Sequence, residues 1–143
     1  MSAVTPAILI DAIKREKAYR EAEASLIGFT KHAFGIIEPG VVFKDNWHLH
    51  AISEHLEAVS SGEIENLVIN VPPGTMKSII VSVMWPVWER LENPTLRYMG
   101  ASYGVDLAIR DAMKSRDIIT SPWYQDRWGD SVKIRPGSDQ KTQ

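Results

Sequence analysis

The chain has 143 residues, of which 44% are hydrophobic and 24% are charged, and its formal net charge at pH 7 is −2. This length suits one domain or part of a larger one, the near-neutral charge argues against a strongly basic nucleic-acid clamp, and the absence of cysteine excludes disulfide scaffolds, cysteine–zinc sites and thiol nucleophiles. No apolar run approaches the roughly 18 residues of a membrane span, so the sequence predicts a soluble, intracellular protein.

The N-terminal part is predicted to be helical and then irregular. Thr5 followed by Pro6 is typical of a helix start, and the strong helix formers after it predict one helix that continues to about His32. Residues 35–46 contain two glycines, a proline and an Asp-Asn pair, which together predict a loop with one short extended piece.

The middle of the chain predicts a helix, a strand, a loop and a second helix. Residues 47–60 are predicted to be helical because four apolar side chains share one helical face, namely Leu49, Ile52, Leu56 and Val59. The apolar residues 67–71 (LVINV) predict a buried strand, and residues 72–78 predict a loop. The apolar residues 79–91 then predict a helix that ends or kinks just before Pro86.

The C-terminal part predicts a second strand over residues 96–102 and a helix over residues 106–119. Ser121 and Pro122 predict the start of another helical turn, with serine as the cap and proline at the first position. The residues 129–143 are polar and show no clear pattern.

This order of strand, loop, helix, strand and helix predicts an α/β fold with a parallel sheet and right-handed crossovers. Ligands of such folds bind at the carboxyl ends of the strands, which is where the loop of residues 72–78 would lie.

That loop is similar to a phosphate-binding motif. The motif is G-x-x-x-x-G-K-[ST], and the same frame reads VPPGTMKS over residues 71–78. Lys77 would neutralise the outer phosphates, and the hydroxyl of Ser78 would hold magnesium. Since Pro72 and Pro73 have no N–H, the phosphate donors must be the remaining amides, those of Gly74, Thr75, Met76, Lys77 and Ser78.

Two glycines of the motif are replaced, by Val71 and by Met76. Met76 is the more serious departure, because its side chain must point away from the phosphates and the loop is expected to find a different φ there. The alternative interpretation is a Pro-Gly turn between a strand and a core helix, with Lys77 as a solvated lysine of the first turn.

The stretch INVPPGTMKSIIVSVMWPVWE resembles the ATPase motif of phage terminase large subunits, the motors that package DNA into proheads. The flanking stretches NWHLHAISEHLEAVSSGEIENLVINV and LRYMGASYGVDLAIRDAMKSRDIITSPWYQDRWG are similar to the same family, so the resemblance covers roughly residues 40–130. It implies a P-loop NTPase-type parallel sheet with flanking helices, incomplete here. The implied division is a helical segment over residues 1–38 and a partial ATPase domain over residues 39–143, without the Walker B strand and the nuclease domain.

The resemblance also implies roles by position. Lys77 and Ser78 would be the phosphate lysine and the magnesium hydroxyl of the catalytic site, with ATP and Mg²⁺ as ligands. Trp47 and His48 would lie where the family reads adenine, although an aromatic residue followed by Gln is common there. The implied partners are double-stranded DNA, the small terminase subunit and the portal protein, with no membrane, in the cytoplasm of a bacterial host that carries the phage or prophage.

Hydrolysis requires carboxylates that hold magnesium and orient the attacking water, and no apolar strand that ends in two acids follows Ser78. The expectation is therefore the N-terminal part of a packaging ATPase, from a truncated chain, that binds nucleotide weakly and does not hydrolyse it alone. The alternatives are a non-enzymatic prophage remnant that binds a partner protein or DNA, and a fragment of another P-loop NTPase such as a helicase.

Two further groups of side chains have alternative interpretations. A metal site would need His48, His50 and His55 to converge, but His50 lies about 160° from His48 around a helix, so surface histidines are expected. The aromatic residues 123, 124 and 128 lie among basic residues and could stack on DNA; packing within the protein is the expected alternative.

Overall fold

A computed structural model describes residues 5–132 of the chain. Helices make up all of the regular secondary structure within this range: α1 (Pro6–Ala24), α2 (Leu26–Ile37), α3 (Trp47–Ser60), a π-helical segment (Ile79–Met84), α4 (Trp85–Glu92), α5 (Val105–Thr120) and α6 (Pro122–Trp128).

The predicted parallel sheet is wrong for the described residues, which contain no strand. Residues 67–71 alternate in exposure as a strand would: Leu67, Ile69 and Val71 pack against the helical core, whereas Val68 is 84% exposed. However, no backbone hydrogen bond joins this stretch to residues 96–102 or to any other described stretch. A strand exists only through such a ladder, so the alternation here reflects a segment that lies along helices.

The first predicted helix is divided in two at Ser25. The hydroxyl of Ser25 accepts a hydrogen bond from the Gly28 amide over 3.1 Å, which caps α2. Gly28 lets the start of α2 approach the backbone of α1, because a Cβ at this position would lie 2.1 Å from the Glu21 carbonyl oxygen. The second helix then continues to Ile37, so part of the predicted loop of residues 35–46 is helical.

The other helix predictions are confirmed. α3 has the predicted bounds, and α5 extends the predicted helix by one residue at each end. α6 begins at Pro122, and the hydroxyl of Ser121 accepts from the Tyr124 amide over 3.3 Å as the predicted cap. Most of the polar tail, residues 133–143, lies outside the described residues.

The helix after the loop changes its hydrogen-bonding pattern rather than ending. The amide of Trp85 donates to the carbonyl of Ile80, five residues earlier, at the end of the π-helical segment. Pro86 follows in the first turn of α4, where it needs no N–H donor. The sequence predicted an end or a kink at this place, and the helix instead continues to Glu92.

The core surrounds α2, which contacts α1, α3, α5 and the helix after the loop. Its largest fully buried side chains include Phe29 and Leu26 of α2 and Ile80 and Met84 of the π-helical segment. Trp85 and Trp88 pack against this core. Among the described helices, none combines the length and the apolar character needed to cross a bilayer.

Candidate functional site

The loop of residues 72–78 has two residues with positive φ. Gly74 has φ of 80° and Met76 has φ of 61°. Glycine adopts this conformation without strain, but for a residue with a side chain it costs about 1–2 kcal/mol. Met76 is the one non-glycine residue with positive φ in the described part of the chain, so the backbone strain is concentrated in this loop.

The side chain of Met76 is half-buried and packs against the hydrophobic core. The requirement that it point away from a ligand of the loop is therefore met. The expectation that the loop finds a different φ here is wrong, because φ at Met76 stays in the left-handed region. Full burial of an apolar side chain contributes about 1.5–3 kcal/mol, and the half-buried Met76 side chain gains part of this, which offsets some of the cost.

Five amides of the loop lack protein acceptors. Within residues 5–132, the N–H groups of residues 74–78 donate no hydrogen bond to backbone or side chain. Helical bonding begins only with the Ile80 amide, which donates to the Met76 carbonyl over 3.0 Å. The loop therefore carries the unsatisfied donors of a helix N-terminus, together with its partial positive charge.

The two side chains that the motif requires begin the helix after the loop. Lys77 is half-buried and forms no ion pair with a carboxylate of residues 5–132, and Ser78 is exposed. The hydroxyl of Thr75 donates to the Pro72 carbonyl over 2.8 Å and closes the loop on itself. The structure thus brings the predicted lysine, hydroxyl and amides to one place.

His48 reaches the same loop from α3. Its Nε2 lies 3.2 Å from the Thr75 carbonyl oxygen. A carbonyl only accepts, so the Nε2 atom carries the proton in this hydrogen bond. Sequence reasoning placed His48 near the nucleotide but missed this contact, since the separation of 27 residues gives no local signal.

Trp47, the other residue predicted to read adenine, lies beside an open groove and is 78% exposed. The groove has a volume of about 560 Å³ and is lined by Asp45, Asn46, Trp47, His50, Ala51 and Glu54. On its wall, Asp45 accepts from Lys31 over 2.7 Å and from His50 over 2.6 Å. The hydrogen bond from Lys31 has the larger effect and the one from His50 the smaller, and both lower the pKa of the Asp45 carboxyl. Together they hold the chain just before α3.

The histidines of α3 do not converge on a metal. His48 bonds to the loop, His50 bonds to Asp45, and the Nδ1 of His55 bonds to the Ala51 carbonyl of its own helix over 2.7 Å. Across residues 5–132, no group of three or more His, Asp or Glu side chains is placed to hold a metal ion. The expected surface role applies to His50 and His55.

The aromatic residues near the C-terminus form an aromatic corner, defined here by Tyr19, Trp123 and Trp128 with Glu23 and Arg127. The ring of Trp128 lies 5.4 Å from Tyr19 and 5.2 Å from Trp123, and its indole N–H donates to Glu23 over 3.1 Å. Arg127 donates to the same carboxylate over 3.1 Å and lowers the pKa of Glu23. These contacts fit the expected alternative, which is packing within the protein.

Two of the three basic residues of α5 have carboxylate partners. Arg110 pairs with Asp111 over 2.9 Å, and Lys114 pairs with Glu38 of the loop after α2. Arg116, like Lys77, forms no ion pair within residues 5–132.

Comparison with protein-family models, with curated proteins and with solved structures finds no match to this chain. The case for a function therefore depends on the loop and its surroundings.

Proposed function

We propose that the loop of residues 72–78 binds the phosphate groups of a nucleoside triphosphate, with ATP and Mg²⁺ as the expected ligand. The observation that carries the proposal is the left-handed conformation of Met76, maintained by a side chain that packs inward. Backbone in this conformation aims successive N–H groups into one concavity, which favours an anion.

The donors support a phosphate more than a carboxylate ligand. The amides of Gly74, Met76, Lys77 and Ser78 have no acceptor within residues 5–132, and they surround the start of a helix whose dipole favours negative charge. Lys77 adds a full charge beside them, with no competing carboxylate among the described residues. Several amides and one ammonium group match the many acceptor oxygens of a triphosphate.

Magnesium would enter with the nucleotide. Mg²⁺ is commonly held by one or two protein oxygens together with substrate phosphates and water, and the exposed hydroxyl of Ser78 is the protein oxygen proposed here. Hydrolysis is not part of the proposal, because it needs carboxylates that hold magnesium and orient the attacking water, and no apolar strand that ends in two acids follows Ser78 in the sequence.

The wider proposal is that this loop belongs to the N-terminal part of a DNA-packaging ATPase similar to the phage terminase large subunits. Its support is the resemblance over roughly residues 40–130 together with the loop geometry. Double-stranded DNA, the small terminase subunit and the portal protein are the partners that it proposes, and the cytoplasm of the bacterial host is the proposed location. It does not include the α/β sheet.

A titration tests the phosphate-binding proposal. The full chain, the variant Lys77→Ala and the control Lys14→Ala are titrated with a fluorescent ATP analogue and magnesium. Lys14 lies on α1 and has no carboxylate partner within residues 5–132, so its removal changes the net charge equally. A charged hydrogen bond contributes about 1.5–3 kcal/mol, so Lys77→Ala should weaken binding at least about tenfold and Lys14→Ala should not.

Equal and negligible binding by all three chains would contradict the proposal. It would favour the alternative of a non-enzymatic module that binds a protein or DNA partner without nucleotide.

A further inference from the structure

We propose that His48 is a positioning residue that fixes the peptide plane between Thr75 and Met76 and so aims the Met76 amide at the bound phosphate. This inference rests on the proposed function, because the loop that His48 positions is the one proposed to bind phosphate. His48 itself touches no phosphate in this account.

The geometry of a trans peptide links the two residues. The structure has no cis peptide bond among its described residues, and in a trans peptide the C=O of one residue and the N–H of the next point in opposite directions. His48 bonds the Thr75 carbonyl from the side of α3. The N–H of Met76 is therefore directed away from α3, where no described residue accepts from it.

The same peptide plane sets φ at Met76, which is the strained position of the loop. Without the hydrogen bond from His48, the plane is free to rotate and the left-handed conformation loses one of its supports. The hydroxyl of Thr75 bonds to Pro72 and holds the preceding part of the loop. The hydrogen bond from His48 and the packing of the half-buried Met76 side chain then hold the strained peptide on its two sides.

α3 is a rigid support for this contact. Leu49 and Ile52, which follow His48 on the helix, are buried in the core, so the imidazole is held at a fixed distance from the loop. His50 and His55 are bonded elsewhere and cannot replace it. His48 therefore contacts the loop of residues 72–78 through its Nε2 donor, whereas Trp47 lies exposed beside the groove.

The test uses the full chain with His48→Ala, His48→Gln and the control His55→Ala. Glutamine keeps an N–H donor of similar reach, whereas alanine removes it. Two properties are measured without nucleotide by NMR: the tautomer of His48, from its ring nitrogen shifts, and φ at Met76, from one-bond and three-bond couplings. The affinity for the fluorescent ATP analogue with magnesium is measured separately.

The expected results are an Nε2–H tautomer in the wild-type chain and a positive φ at Met76 that is lost in His48→Ala but kept in His48→Gln and His55→Ala. A net hydrogen bond of about 0.5–1.5 kcal/mol predicts analogue binding weakened about three- to tenfold by His48→Ala, with glutamine restoring it.

An Nδ1–H tautomer in the wild-type chain would overturn the inference, and so would an unchanged φ at Met76 in His48→Ala. Both measurements are made without nucleotide. Failure of the wild-type chain to bind the analogue would therefore contradict the proposed function alone.

Discussion

The polar groups of the loop of residues 72–78 and those of the aromatic corner differ in whether they have partners within the protein. In the corner, the hydroxyl of Tyr19 donates to the Trp123 carbonyl, and Trp128 and Arg127 both donate to Glu23. In the loop, five amides and one lysine have no acceptor within residues 5–132. A polar group that is paired inside the protein contributes to stability. Unpaired N–H donors on a strained backbone remain available to bind a ligand.

This difference predicts that changes in the corner affect stability and changes in the loop affect binding. The largest effect is expected for Trp128→Ala, which removes a buried ring between Tyr19 and Trp123. Removal of a large buried aromatic side chain costs about 3–5 kcal/mol, measured by urea unfolding followed by circular dichroism. A loss below about 1 kcal/mol would show that the corner does not support the fold.

An intermediate effect is expected from branching the side chain at Met76. Met76→Ile places a β-branched residue at a φ of 61°, where such a side chain is an outlier. Strain of up to about 3 kcal/mol, against about 1–2 kcal/mol already present at Met76, should weaken binding of the ATP analogue about tenfold. Met76→Gly relieves the strain and should bind within about threefold of the wild-type chain. If isoleucine binds as well as glycine, the left-handed conformation is not required for binding.

The smallest effect is expected from protonating Glu23. Its pKa is lowered from 4.5 by the hydrogen bond from Arg127, so the pairing stabilises the fold above that pH, and the stability is lost as pH falls through the lower folded pKa. Both side chains are partly exposed, so the contribution is below about 1 kcal/mol. The stability difference between the wild-type chain and Glu23→Gln, measured by urea unfolding, should be present near neutral pH and should shrink as the pH falls below 4.5 through the folded-state pKa. A pH-independent difference would contradict this prediction.

The helices were largely predictable because their signals are local. The apolar face of α3 and the Ser121-Pro122 start of α6 lie within a few residues of the structure that they specify. The break at Ser25 was missed because strong helix formers precede it and because the glycine that permits the corner lies three residues later.

Residues 67–71 could not show whether a sheet forms. Their alternation of apolar and polar residues indicates that one face of the segment is buried, but it does not reveal whether a neighbouring strand pairs with it. In the loop, the identities of Lys77 and Ser78 were readable from spacing. The left-handed Met76 and the contact with His48 depend on tertiary packing between α3, the core and the loop, which no short sequence window contains.

The central claim is that the amides of the loop face outward to receive phosphate, and the most direct measurement is amide chemical shift during titration with magnesium ATP. The account predicts that the N–H signals of Gly74, Met76, Lys77 and Ser78 move together and saturate, while the indole N–H of Trp128 stays in place because Glu23 already accepts from it. Loop signals that remain fixed at saturating nucleotide would contradict the account, and so would shifts that centre on the aromatic corner.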